Sequence, residues 1–170
     1  VHGGPNLGVT MEDFSTELKT ARDDSRKCLA LAILGEIGLR MGPECSLTPS
    51  LFMPHFESQS DQVRLAAATA LGNAAAGSVK AYLPILLNGL EKTNAQSYLL
   101  LHSVRELLQH PEVVRPDLAS SAHKLWHALL VVSEEEDNRA VGAECVGRLA
   151  LLDPVAYIPH FQVSRAHSST

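Results

Sequence analysis

RLAAATALG, from Arg64 to Gly72, is the stretch that decides the fold of this 170-residue chain: a basic residue, seven small or apolar positions, and a glycine. The phrase stands thirty-seven residues earlier as KCLALAILG (Lys27 to Gly35) and seventy-five residues later as RAVGAECVG (Arg139 to Gly147). An acid precedes each base by three positions: Asp24 with Lys27, Asp61 with Arg64, Glu136 with Arg139. Val63, Ala66, Ala67, Ala70 and Leu71 recur at helical spacing, so each phrase predicts an α-helix. The acid falls in its first turn, where the helix dipole favours negative charge, and the glycine near its end.

A second motif keeps the same distance. AYLP (Ala81 to Pro84) and AYIP (Ala156 to Pro159) are also seventy-five residues apart, and two copies of a period near thirty-seven fill that gap. The intervening copy is QSYLLLHSVRELL (Gln96 to Leu108), where the basic and glycine signatures have decayed but the apolar spacing survives. Each unit therefore predicts two helices, a phrase helix and one marked by proline: Pro54, Pro84 and Pro159, in MPHF, LPIL and IPHF. SSAHKLWHALLVV (Ser120 to Val132) supplies that second helix before the last phrase, with Pro116 upstream of it. Nineteen residues separate Gly35 from Pro54 where the other junctions have twelve, which places a seven-residue loop insertion in GLRMGPECSLTP. The remaining breakers, KTNA and SEEED, mark loops between helices.

Composition agrees with stacked helices. Hydrophobic residues make up 45% of the chain but aromatics only 5%, so burial comes from Leu, Ala and Val in close layers. A net charge of −5 opposes a nucleic-acid footprint, which needs clustered Lys and Arg. The longest apolar run, Leu29 to Leu34, is far short of the roughly 20 residues of a membrane span. No charged-then-apolar leader opens the chain, and the ends, Val1 and Thr170, read as those of a fragment. Cys28, Cys45 and Cys145 are odd in number and lack C-x-x-C spacing, so the expectation is reduced, intracellular thiols, with Cys28 and Cys145 as small hydrophobes.

The alternation of a proline-bent helix with a D-x-x-[KR] helix resembles the HEAT repeat. The fold expected is all-α, an α-solenoid of about four HEAT-type helix pairs, in which each pair buries its faces only against the next. The acid and base of successive phrases are expected to bridge neighbouring copies as a ladder worth about 0.2 to 1 kcal/mol per pair.

A more specific likeness runs through QSYLLLHSVRELL, KAYLPILLNGLE (Lys80 to Glu91), VGAECVGRLALLDP (Val141 to Pro154), RKCLALAILGEIG (Arg26 to Gly38) and RLAAATALGNAAAG (Arg64 to Gly77). In order and spacing these resemble the C-terminal half of the cullin-associated, neddylation-dissociated protein family, over about Asp23 to Phe161. The resemblance implies a cytoplasmic and nuclear, non-enzymatic scaffold of cullin–RING (SCF-type) ubiquitin ligases. It would bind the unneddylated cullin and RING core in competition with adaptor and substrate-receptor modules, and promote receptor exchange. The other reading is a generic HEAT adaptor, a transport receptor or phosphatase scaffold. Residues 1–22 are expected to be irregular or poorly ordered, residues 23–161 to form the repeats, and residues 162–170 a tail.

The chemistry-bearing residues point away from a reaction. His123 and His127 in HKLWH stand at i, i+4 like zinc-protease ligands, but Lys124 occupies the place of the required glutamate and no third ligand is in register. His55 and His160, in MPHF and IPHF, are expected to fill one repeated structural slot. GNAAAGS (Gly72 to Ser78) lacks the lysine of a phosphate loop and reads as an inter-helix turn. Glu134, Glu135, Glu136 and Asp137 read as a solvated helix start, or else an acidic docking patch. Tyr98 faces either a partner or the core. No catalytic residue, metal ligand or cofactor is expected; no nucleic acid or membrane is expected as partner, and no residue is assigned to partner contact.

Overall fold

The computed structural model describes residues 3–157, with side chains from residue 11 onward. Among the described residues there are nine α-helices, three short 3-10 turns and no strand. The helices are α1 (Gly3–Thr20), α2 (Asp24–Met41), α3 (Pro49–Phe52), α4 (Asp61–Gly77), α5 (Val79–Glu91), α6 (Ser97–Leu107), α7 (Pro111–Leu118), α8 (Ala122–Val132) and α9 (Arg139–Leu152). The phrase helices stack directly on one another in the order α2, α4, α6, α9. Behind them lies a second layer formed by α3 with the 3-10 turn Met53–Glu57, then α5, then α8. With α1 packed against α2, four helix pairs result, and α7 is inserted beside α5 and α4. This is the all-α solenoid that the repeat requires, and the decayed copy, α6, takes its place between α4 and α9.

Small residues set the spacing of the phrase layer. Ala67, Ala68, Ala70, Ala74, Ala75 and Ala76 of α4 are all buried, so the backbones of α2, α4 and α6 approach closely. Gly35 and Gly72 serve this approach while Gly147 faces open space, and none of the three ends its helix: these run on to Met41, Gly77 and Leu152. A Cβ on Gly35 would stand 2.7 Å from the Ala70 Cα, and one on Gly72 would stand 2.3 Å from the Ser103 carbonyl oxygen. Ser103 marks the same seam: its hydroxyl is buried and donates to the Ala68 carbonyl at 2.8 Å. GNAAAGS accordingly is not a turn. It is helical through Gly77, and Ser78 alone joins α4 to α5.

Other expectations are corrected by packing. The segment 1–22 carries α1, whose Phe14 and Leu18 pack against the core and whose Glu17 pairs with Arg26 of α2 at 2.7 Å. The first pair thus begins before Asp23. The acid–base ladder is absent among the described residues. Arg64 pairs with Asp61 of its own helix and donates to the Ser58 carbonyl, and the ion pair that does cross phrase helices joins Arg105 to Glu144 at 3.7 Å. The three-residue offset places the two charges on one side of a single helix, which favours the local pair. Glu136 lies in a 3-10 turn (Glu136–Asn138), and α9 starts only at Arg139.

The proline positions differ from one another. Pro84 lies inside α5, Pro54 in the 3-10 turn after α3, and Pro116 inside α7. Pro159, His160 and residues 162–170 lie outside the described residues. The seven-residue insertion opens at Gly42, whose φ of 65° suits glycine, and it is tied down where the Tyr82 hydroxyl donates to the Leu47 carbonyl at 2.8 Å.

Candidate partner-binding face

Each inner phrase helix is covered by phrase helices on two sides and by the second layer behind, which leaves one side open. Helical spacing and burial identify that side. On α4 it carries Gln62, Leu65 and Thr69, and on α6 Tyr98 with the half-buried His102 and Arg105. On α9 it carries Glu144 and Leu151. Leu65 is 42% exposed and Tyr98 41% exposed, large side chains for surface positions on otherwise well-packed helices. Tyr98 therefore faces outward. Its ring meets His102 edge-on, with centroids 4.5 Å apart.

The polar groups of this face form one cluster. An Arg105 terminal nitrogen donates to the His102 Nδ1 at 2.8 Å, and the other approaches the Glu144 carboxylate of α9 at 3.7 Å. Beneath them the Cys145 thiol is fully buried and donates to the Leu101 carbonyl at 3.5 Å. Burial pushes that thiol up to about 12, so it behaves as the small hydrophobe its position in the phrase suggested. Burial also raises the half-buried Cys28, with Asp24 and Asp23 adding to the effect. Cys45 is half-buried as well.

Burial, reinforced by Arg105 and opposed by Glu144, holds His102 below the ordinary histidine value, and burial with Lys27 does the same for His55. A folded-state value below the unfolded one means that the unfolded chain binds the proton more tightly. The contribution to stability is then fully present above about 6.5, the ordinary value, and is lost as pH falls through the depressed one. Urea midpoints measured between pH 7.5 and pH 5 should decline toward acid, and the double variant His55→Gln, His102→Gln should decline less.

The remaining sequence candidates fall elsewhere. His123 and His127 lie on α8 along a groove of about 600 Å³ shared with Glu91 and Lys124, on the layer opposite the open face. Among the described residues no three His, Cys, Asp or Glu side chains gather to hold a metal. Trp126, on the buried side of α8, stacks on Tyr157 at 4.8 Å. His55 sits half-buried in the turn after α3. Glu134 to Asp137 are exposed ahead of α9. His102, Arg105 and Glu144 were not singled out in the sequence. Their signal was Tyr98, His102 and Arg105 at i, i+4 and i+7, a polar stripe along an otherwise apolar helix.

Comparison with known proteins gives the chain relatives. No family model matches it. It is 74% identical over 162 residues to the C-terminal part of cullin-associated NEDD8-dissociated protein 1 from Emericella nidulans, covering 95% of this chain and 16% of that protein. Cullin-associated NEDD8-dissociated protein 1 of Arabidopsis thaliana is 34% identical over 167 residues, covering 95% of the chain and 14% of the relative. Protein 2 of the mouse, Mus musculus, is 36% identical over 140 residues, covering 80% of the chain and 11% of the relative. The chain spans only these small fractions of the relatives' length. A match of 162 residues also exceeds the interval from Asp23 to Phe161, so the likeness reaches beyond the bounds first assigned to it. With the ordered repeats, the decayed copy in its place and this identity, the chain belongs to the family of cullin-associated NEDD8-dissociated proteins, in the part that corresponds to their C-terminal region.

Proposed function

We propose that this chain serves as part of a non-enzymatic scaffold for cullin–RING ubiquitin ligases in the cytoplasm and nucleus. It holds the unneddylated cullin and RING core along the open face of the phrase helices, competes with adaptor and substrate-receptor modules, and so promotes their exchange. The observation that carries this reading is the row of outward side chains on stacked helices, Leu65, Tyr98 and Arg105, in a chain 74% identical to a cullin-associated relative. Tyrosine and arginine are the residue types that dominate binding energy at protein interfaces, and a rigid stack presents them with little ordering cost.

The test is capture of a full-length family member carrying this segment on immobilised cullin–RING core, unmodified in one arm and neddylated in the other. Preferential retention on the unmodified core is expected, and Tyr98→Ala should weaken it. Equal retention in both arms, or none in either, sinks the proposal.

A further inference from the structure

The open face of α6 holds more hydrogen-bond donors than the chain supplies acceptors for. A guanidinium only donates, so the 2.8 Å contact from Arg105 makes the His102 Nδ1 an acceptor and leaves the neutral ring's proton on Nε2. That Nε2 and the Arg105 Nε are both buried, and neither has a hydrogen-bond partner among the described residues. Glu144 is the carboxylate at hand, but at 3.7 Å it lies beyond the 2.7 to 3.2 Å range of an N–H to oxygen bond. Buried donors in this state are unfavourable; the His102 ring holds the guanidinium through Nδ1, and the Arg105 Nε with its neighbouring terminal nitrogen is the edge that a carboxylate pairs with through two oxygens.

We propose that Tyr98, His102 and Arg105 form a receptor for an acidic side chain of a partner protein, with Glu144 as the internal carboxylate that the incoming one displaces. Arg105 is 28% exposed at its side chain, so its fork is able to swing outward to a carboxylate while its stem stays packed. The exposed Tyr98 ring forms one wall of the receptor. On the next layer the open side of α4 offers the uncharged Gln62, Leu65 and Thr69, so the acids an approaching carboxylate meets beside Arg105 are the exposed Glu144 of α9 and the half-buried Glu106 of α6 itself. This inference draws on the proposed function only for which protein presents the acid.

The experiment follows the His102 Nε2–H and Arg105 Nε–H resonances of the 170-residue chain during titration with hexaglutamate, with hexalysine as control. A saturable shift of both resonances with hexaglutamate and none with hexalysine is expected. Glu144→Gln, an exposed substitution that leaves packing intact, should tighten binding roughly two- to fivefold, the worth of a partly exposed pair. In Arg105→Gln the shift of the remaining His102 Nε2–H resonance should be abolished. An even, unsaturable shift across all basic residues, or an affinity that Glu144→Gln leaves unchanged, overturns the receptor. In a parallel arm on the unmodified cullin–RING core, Glu144→Gln should strengthen capture and Arg105→Gln weaken it. Failure of the wild type to bind cullin while hexaglutamate still binds overturns the proposed function alone. Capture of cullin by the wild type that neither variant alters, without hexaglutamate binding, overturns the receptor alone.

Discussion

Gly72→Ala should destabilise the chain by about 2 to 3 kcal/mol, while Gly147→Ala, at the matching place in the repeated phrase, should stabilise it by about 0.5 to 1 kcal/mol. At Gly72 the added carbon would meet the Ser103 carbonyl oxygen at 2.3 Å and the Glu106 Cβ at 2.6 Å, in the tightest part of the seam between α4 and α6. One of these obstacles is backbone, so relief requires one helix to move against the other. At Gly147 a Cβ would meet nothing within 4 Å, and only the helix propensity of alanine is felt. Chemical denaturation of the two variants beside the wild type measures both signs. Equal shifts, or a stabilised Gly72→Ala, would show that the phrase glycines do not set the helix spacing.

Phe52→Ala should remove about 3 to 5 kcal/mol, the usual cost of emptying a fully buried aromatic site. The second layer is thinnest here, since α3 has four residues and continues only as the 3-10 turn Met53–Glu57. So short a segment has no stability of its own and is held by what it buries. Phe52 and Phe56 are its buried anchors, and the Arg64 contact with the Ser58 carbonyl fastens its far end to α4. Hydrogen exchange should therefore show loss of protection first in residues 49–57 and then in α4, with α8 and α9 protected longest. Uniform loss along the whole chain would mean that the layers unfold as one unit.

The stacking order was legible because a helical period and a repeat length survive exchange of one small apolar residue for another. Even the decayed copy at α6 kept its apolar spacing, which is the part the core reads. The end of α4 was misread, GNAAAGS being taken as a turn where the helix runs on through Gly77. A glycine that stops a helix and a glycine that lets two helices touch look alike in one chain, and only the alanines after Gly72, running without a breaker to Gly77, distinguished them. Helix α7 is not among the helices the repeats predict; Pro111 starts it, and Pro116, noted only as upstream of the next helix, lies in its exposed second turn. The histidine pair of α8 was conspicuous because its spacing matches a known motif. The α6 cluster was not, because its third member, Glu144, comes from another helix and only stacking brings it close.

Each layer of this solenoid touches its immediate neighbours and little else. Tension applied along the stack is therefore shared in series, and the weakest seam yields before the others feel more load. A layer of about 37 residues, once peeled, pays out roughly 130 Å of slack chain at some 3.5 Å per residue. Such a chain stretches like a spring of separate coils, lengthening in steps without surrendering the grip of the layers that remain.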